Sequence, residues 1–210
     1  LGYQALAITL HERQLDVRPL RAYAADRGIT LIPGVERSIE GRHVLLLNFQ
    51  HGADTLNTFD DLAKLKRTQH GLVVAPHPFY PSKSSVGCRL DAHHELFDAV
   101  EFNAMYTRSV DFNRRAVSWA KAHDKPLVGN CDVHRLRQLG TTYSLIDAAP
   151  DADAICDAIV AGRIQIESRP LAWNEVACIF PAVVLTGFLP RGHEDQPAID
   201  TSSTPQPSFK

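Results

Sequence analysis

Gly28-Ile29-Thr30-Leu31-Ile32-Pro33-Gly34-Val35-Glu36 closes a segment of helical spacing, runs through a short apolar strand and ends on a carboxylate. Ahead of it, Val17–Arg27 sets Leu20, Tyr23 and Ala24 at helical intervals, and Gly28 stands where a helix ends well. The same rhythm runs in both directions. Ala5–Thr9 is strand-like and leads into Thr9-Leu10-His11-Glu12, and His43–Phe49 is an apolar strand. Thr55–Thr68 reads as a helix, and Leu72–Ala75 as a buried strand ending at Pro76-His77-Pro78. Ala99–Asn103 (strand), Val110–His123 (helix) and Pro126–Gly129 (strand) follow, the last ending at Asn130-Cys131-Asp132. Tyr143–Ile146, helix Ala152–Ala161 and strand Ile164–Ile166 complete the pattern. Such alternation implies βα units, a largely parallel sheet and helices outside it.

The chain of 210 residues has room for one domain with a continuous core, or one domain and a tail. A net charge of −2 supplies no global positive field, which argues against nucleic acid or an anionic membrane as partner. An anionic substrate must therefore be held by a local site. The four cysteines, Cys88, Cys131, Cys156 and Cys178, form no CxxC pair, so the expectation is a reduced, cytoplasmic chain. Leu1–Glu12 has no basic segment or cleavage site of a signal peptide, and the chain reads as starting inside a domain. Val176–Leu189 is apolar but too short to span a bilayer and is broken by Pro181 and Gly187; it reads as buried or partner-facing. From Arg191 the composition turns to Pro, Ser, Thr, Asp and Gln, so residues 1–190 are expected as the domain and 191–210 as a disordered tail.

Residues that bind metals fall at strand ends. His11 follows the first strand, Glu36 the second, His77 a later one, and Asp132 and His134 another, while His43 opens a strand. In parallel α/β folds the carboxyl ends of the strands share one face, where ligands bind. A hairpin across the Gly-containing turn between Glu36 and His43 could join those two. Each residue alone has a plainer reading, a surface histidine or a helix-capping acid. Together, four imidazoles and two carboxylates on one rim match the ligands of borderline divalent cations. His51, His70, His123 and His193 read as surface residues, and so do His93 and His94.

At these positions the chain resembles the PHP (polymerase and histidinol phosphatase) family. Thr9-Leu10-His11 stands where that family has a Thr-Asp-His motif, and Gly34-Val35-Glu36 matches its Gly-x-Glu motif. His43 opens the next apolar strand, and Pro76-His77-Pro78 matches the His-Pro motif. Glu101-Phe102-Asn103 and Asn130-Cys131-Asp132-Val133-His134, followed by Leu139-Gly140, complete the likeness over roughly residues 1 to 148. Two departures stand out: the family's opening His-x-His strand has no counterpart, and Leu10 replaces the Asp of the second motif.

The resemblance implies a distorted (β/α)7 barrel lacking its first strand; the alternation by itself equally allows an open doubly wound sheet. It further implies two or three divalent ions (Mn, Fe or Zn). Glu36 would bridge, His43 and His77 would hold one ion, and His11 and His134 would contribute to another. Asp132 would serve the ion whose other ligands are the absent His-x-His pair. The implied activity is hydrolysis of a small phosphate ester, of a nucleotide or metabolite, by metal-activated water. Glu36 and Asp132 are the candidate catalytic carboxylates, and Arg135, beside His134, is the favoured cation for the phosphate oxygens. Lys83, Arg89 and Arg108 are further candidates, and Phe79–Arg89 reads as a flexible rim over the substrate. A metal-dependent C–N hydrolase and a PHP-like binding or regulatory module without catalysis are the rival readings.

Overall fold

The computed structural model describes residues 2–134 and 136–179. Its centre is a six-stranded sheet: β1 (Ala5–His11), β2 (Thr30–Ile39), β3 (Arg42–Leu47), β4 (Leu72–Ala75), β5 (Ala99–Asn103) and β6 (Leu127–Asn130), paired in that order. β3 alone runs antiparallel to its neighbours; β1–β2, β4–β5 and β5–β6 pair parallel. A separate antiparallel pair, β7 (Thr142–Ile146) and β8 (Ile164–Ser168), packs against β6. The helices are α1 (Arg21–Ala25), α2 (Phe59–Thr68), α3 (Arg89–Ala92), α4 (Asn113–Ala122) and α5 (Ala152–Val160).

The mixed α/β class expected from the alternation holds, with two corrections to its topology. The chain does not alternate strictly: β2 runs ten residues through Pro33-Gly34 to Ile39 and turns straight into β3. Glu40 and Gly41 make that turn with φ of 49° and 74°, the positive values that two-residue hairpin loops require. The strand order also runs from β1 to β6 without reversing, so the doubly wound alternative, which needs a switch in order, does not apply. Eight strands are present among the described residues, six of them in one sheet.

Both faces of the sheet are covered, and each covering is legible in the burial. Val35, Val44, Leu46, Val73 and Val100 face α2, α3 and α4 through Phe59, Leu62, Leu65, Leu90 and Trp119. Ile32, Leu45, Leu47, Leu72 and Val74 face α5 and the β7–β8 pair through Ile155, Ile159 and Ile164. Side-chain hydrogen bonds, rather than apolar spacing, mark the starts of α2, α4 and α5. Thr58 and Asp61 form a reciprocal capping box, so α2 begins at Phe59, after the expected Thr55. Asp111 accepts from the Asn113 amide at 2.9 Å, so α4 begins at Asn113 and not Val110. Asp151 accepts from the amides of Asp153 and Ala154 at the start of α5. The expected tail and most of Val176–Leu189 lie outside the described residues.

Gly34 shows why its position excludes a side chain. A Cβ there would sit 2.8 Å from a Leu47 methyl, 3.0 Å from the Thr9 methyl and 3.2 Å from the Leu46 carbonyl oxygen. Gly34→Ala is therefore expected to force β1, β2 and β3 apart, with a loss of about 1–3 kcal/mol, read as a lower urea midpoint at unchanged slope.

Candidate metal centre

Register brings the first ligand candidates together. In the parallel β1–β2 pair His11 lies opposite Glu36, and the antiparallel β2–β3 pair sets Glu36 opposite Leu45 and Ser38 opposite His43. Glu36 and His43 are thus diagonal neighbours, and alternation along each strand turns both to the face that carries Ile32, Leu45 and Leu47. The hairpin expected between them is present, built as one long strand and a two-residue turn.

Glu36 is 6% exposed, and both of its oxygens face imidazoles. Oε1 lies 2.6 Å from Nδ1 of His43 and 3.4 Å from Nε2 of His77; Oε2 lies 3.4 Å from Nδ1 of His11. Among the described residues all its ion-pair partners are imidazoles. The rings form a chain, with centroids of His77 and His43 at 5.5 Å, His43 and His11 at 5.4 Å, and His11 and His134 at 5.9 Å. Ligand atoms of His11, Glu36 and His43 lie within 4.8 Å of one another. His134 reaches the group from the loop after β6, where its Nδ1 is 3.0 Å from the Asp132 carbonyl oxygen and 3.5 Å from Asp132 Oδ1. The structure thus brings His11, Glu36, His43, His77, Asp132 and His134 to one mouth, while Arg135 lies outside the described residues.

The donor set fits a cation. Nδ1 of His43 is buried and, although close to Glu36, is not aligned to hydrogen-bond with it. A buried ring nitrogen in that state is costly unless a third partner takes its lone pair. His77 is oriented in the same sense, with Ser85 Oγ 3.4 Å from its Nδ1 and with Nε2 facing the carboxylate. His77 and Asp132 also hold φ of +29° and +46°, values that side chains other than glycine rarely adopt and that cluster at functional sites.

Charge is matched without a cation through protons. Burial opposes the charge on Glu36, but His43 and His77 at its oxygens, with His11 beyond, hold its carboxyl well below the usual carboxylate range. Burial likewise works against a charged His77; Glu36, Glu101 and Asp132 outweigh it and push that imidazole up to about 9.

Other expectations change. The segment 79–88 is no loose rim, because it is stitched to the start of β3: the His43 amide donates to Ser84 O at 2.7 Å, and Arg42 donates to Lys83 O and Ser85 O. Ser85 Oγ in turn donates to the His77 carbonyl. Arg89 pairs with Glu40, and Lys83 and Arg108 are solvent-exposed. His51, His70, His93, His94 and His123 all stand apart from the cluster; His93 stacks on Phe59 and His123 on Trp119. One acid went unread as part of the site. Glu101, 1% exposed in β5, accepts from the His77 amide, and burial pushes its carboxyl up to about 7 against the charge of His77. An acid inside the apolar run Ala99-Val100-Glu101-Phe102 was the available signal.

Known proteins share this architecture. The family described as PHP-associated (PHP_C) matches residues 111–164, from the start of α4 into β8 and across Asp132 and His134. Two solved structures share the fold. One, from Bacteroides vulgatus, is a two-domain protein containing a predicted PHP-like metal-dependent phosphoesterase, at TM-score 0.63 and 16% identity over 86% of this chain. This chain spans 60% of that protein's length. The other is PsfC from Pseudomonas syringae, at TM-score 0.59 and 16% identity over 88% of this chain and 83% of its own. No curated protein matches the sequence. The family match over residues 111–164 bears out the resemblance to PHP proteins read from the motifs, and the solved structures share the fold. None of the described helices is long and apolar enough to cross a membrane.

A proton on His77 competes with any cation for the same nitrogen. Affinity for Mn2+ or Zn2+ is therefore expected to rise as pH rises from 6 towards 9 and to level off above it. Titration calorimetry at pH 7 in buffers of different ionisation enthalpy should show about one proton released per ion bound there.

Proposed function

We propose that this PHP-type chain is a metal-dependent phosphoesterase that hydrolyses a small phosphate ester, of a nucleotide or a metabolite. The observation that carries the reading is Glu36, a buried carboxylate contacted on both oxygens by His11, His43 and His77. Buried structural ion pairs favour Arg, because its guanidinium stays charged and donates several hydrogen bonds. A carboxylate ringed by imidazoles is instead the pattern of a cation site, since neutral imidazole offers a lone pair.

In this reading Glu36 would be shared between ions, His43 and His77 would hold one divalent ion, and His11 and His134 would contribute to a second, with Asp132 beside them. Two or three ions of Mn, Fe or Zn suit such mixed donors. When bound, the ions supply Lewis acidity and bring a water molecule's pKa towards neutrality. The chain's own part is to place that chemistry. Burial of Glu36 fixes its oxygens, and β2–β3 register fixes His43 beside them. Ser85 keeps Nε2 of His77 turned inward. Asp132, whose Oδ1 lies 3.5 Å from Nδ1 of His134, is with Glu36 a candidate catalytic carboxylate. Arg135, next in the chain after His134, is the candidate to neutralise phosphate oxygens.

The substrate is expected to be small. The net charge of −2 supplies no overall positive field to draw in a polynucleotide, so an anion would have to be held by local groups. A metal-dependent C–N hydrolase and a binding module without turnover use the same ligands, and the panel of substrates decides between them.

Glu36→Ala is expected to lower metal content and phosphate release together, by more than about 100-fold, while circular dichroism stays native. Elemental analysis and phosphate release from a panel of nucleotides and sugar phosphates, with amides as the contrast, check this. Unchanged metal content in Glu36→Ala would remove Glu36 as the bridge. Full metal with no turnover of any phosphate ester would leave the binding module as the reading.

A further inference from the structure

Glu101 is among the most deeply buried side chains of the protein, yet it carries an ionisable group. Its two oxygens accept from three donors that come from different elements. Oε2 accepts from the backbone amide of His77, in the turn after β4, and from Asn103 Nδ2 at 3.1 Å. Oε1 accepts from Asn130 Nδ2, at the end of β6, at 2.7 Å. Asn130 continues the line, because its Oδ1 accepts from the Asp132 amide at 3.2 Å. The path His77 N–H, Glu101, Asn130, Asp132 N–H therefore crosses from β4 through β5 to β6 beneath the cluster.

His77 and Asp132, at the two ends of this path, are also the two site residues with positive φ. Such backbone conformations cost of order 1 kcal/mol or more and persist only where the surroundings impose them. The amide of each is held by this line of hydrogen bonds. Glu101 is itself anchored from behind. Asn113, at the start of α4, accepts from the Asn103 amide and donates to the Asn103 carbonyl, both at 2.9 Å, which locks the end of β5. With both oxygens engaged and the side chain out of reach of solvent, Glu101 is not placed to meet a substrate.

We infer that Glu101 is a positioning residue: its carboxylate ties the turn bearing His77 to the turn bearing Asp132 and sets the spacing between two halves of the metal centre. Its consequence for cation binding rests on the phosphoesterase reading; the tie between the two turns does not. A carboxylate suits the position because it accepts on both sides. An amide in its place must turn a donor towards either His77 or Asn130, and one of the two turns is then released.

The test uses the full chain, first free of metal. In Glu101→Gln, amide hydrogen exchange read by NMR is expected to quicken about tenfold at His77 or at Asp132, with Asp98 and Val100 in the adjoining ladder unchanged. Asn130→Ala keeps Glu101 and is expected to quicken Asp132 while sparing His77. Mn2+ titration of Glu101→Gln is then expected to show at least one ion bound about tenfold more weakly, at an unchanged melting temperature. The inference is overturned if neither amide responds in Glu101→Gln, or if protection falls evenly across β4, β5 and β6, the mark of a core residue with no special role. If the unaltered chain binds none of Mn2+, Fe2+ and Zn2+ while the two amides respond as stated, the tie stands and the phosphoesterase reading falls.

Discussion

A carboxylate removed from water needs opposite charge or donors at both oxygens, and in this protein imidazoles supply them. Glu36 sits in the middle of a ten-residue strand, where it is as deep as the hydrophobic residues around it. Leaving such a charge unmatched would cost several kcal/mol. The sheet answers by presenting His11 from β1, His43 from β3 and His77 from the turn after β4. Each comes from a different element, so the three strands must keep their register for the charge to be matched. The binding chemistry and the integrity of this half of the sheet are therefore the same requirement.

Around that carboxylate the polypeptide takes positive φ at points where it turns or leaves a strand. The β2–β3 turn takes two positive φ values to reverse the chain in two residues. His77 and Asp132 take one each, just past the ends of parallel strands. The segment following His77 is sewn to the start of β3 by His43, Arg42 and Ser85, so two of the imidazoles share a common support. Beneath them, Glu101 and the asparagines of β5, β6 and α4 form a second polar layer inside an otherwise apolar sheet. Buried networks of this kind are tolerated when every member is satisfied, and here the donors and acceptors match.

Much of the site was readable in the sequence because metal-ligand residues are few in kind and strand ends are recognisable. Gly34-Val35-Glu36, Pro76-His77-Pro78 and Asp132-Val133-His134 each follow an apolar strand, and parallel strands gather their carboxyl ends. His43 was the exception to that rule, and it enters the same rim because β3 alone runs the other way. Glu101 was passed over as a site residue because an acid within a strand says nothing by itself about which donors lie across the sheet. The bounds of α2 and α4 moved inward from their apolar patterns because Thr58, Asp61 and Asp111 choose where each helix begins.

From its own order of residues the chain determined the alternation of helices and strands, the polar groups at strand ends and the chemistry those groups share. These depend on neighbours a few positions apart. Folding alone decided that the sheet would run from β1 to β6 in sequence, and that β2 and β3 would form a hairpin. It alone set Glu36 diagonal to His43, and joined His77 to Asp132 through Glu101 and Asn130. The physical reason is that hydrogen-bond register and burial are relations between distant segments, fixed only when the sheet has closed over its core.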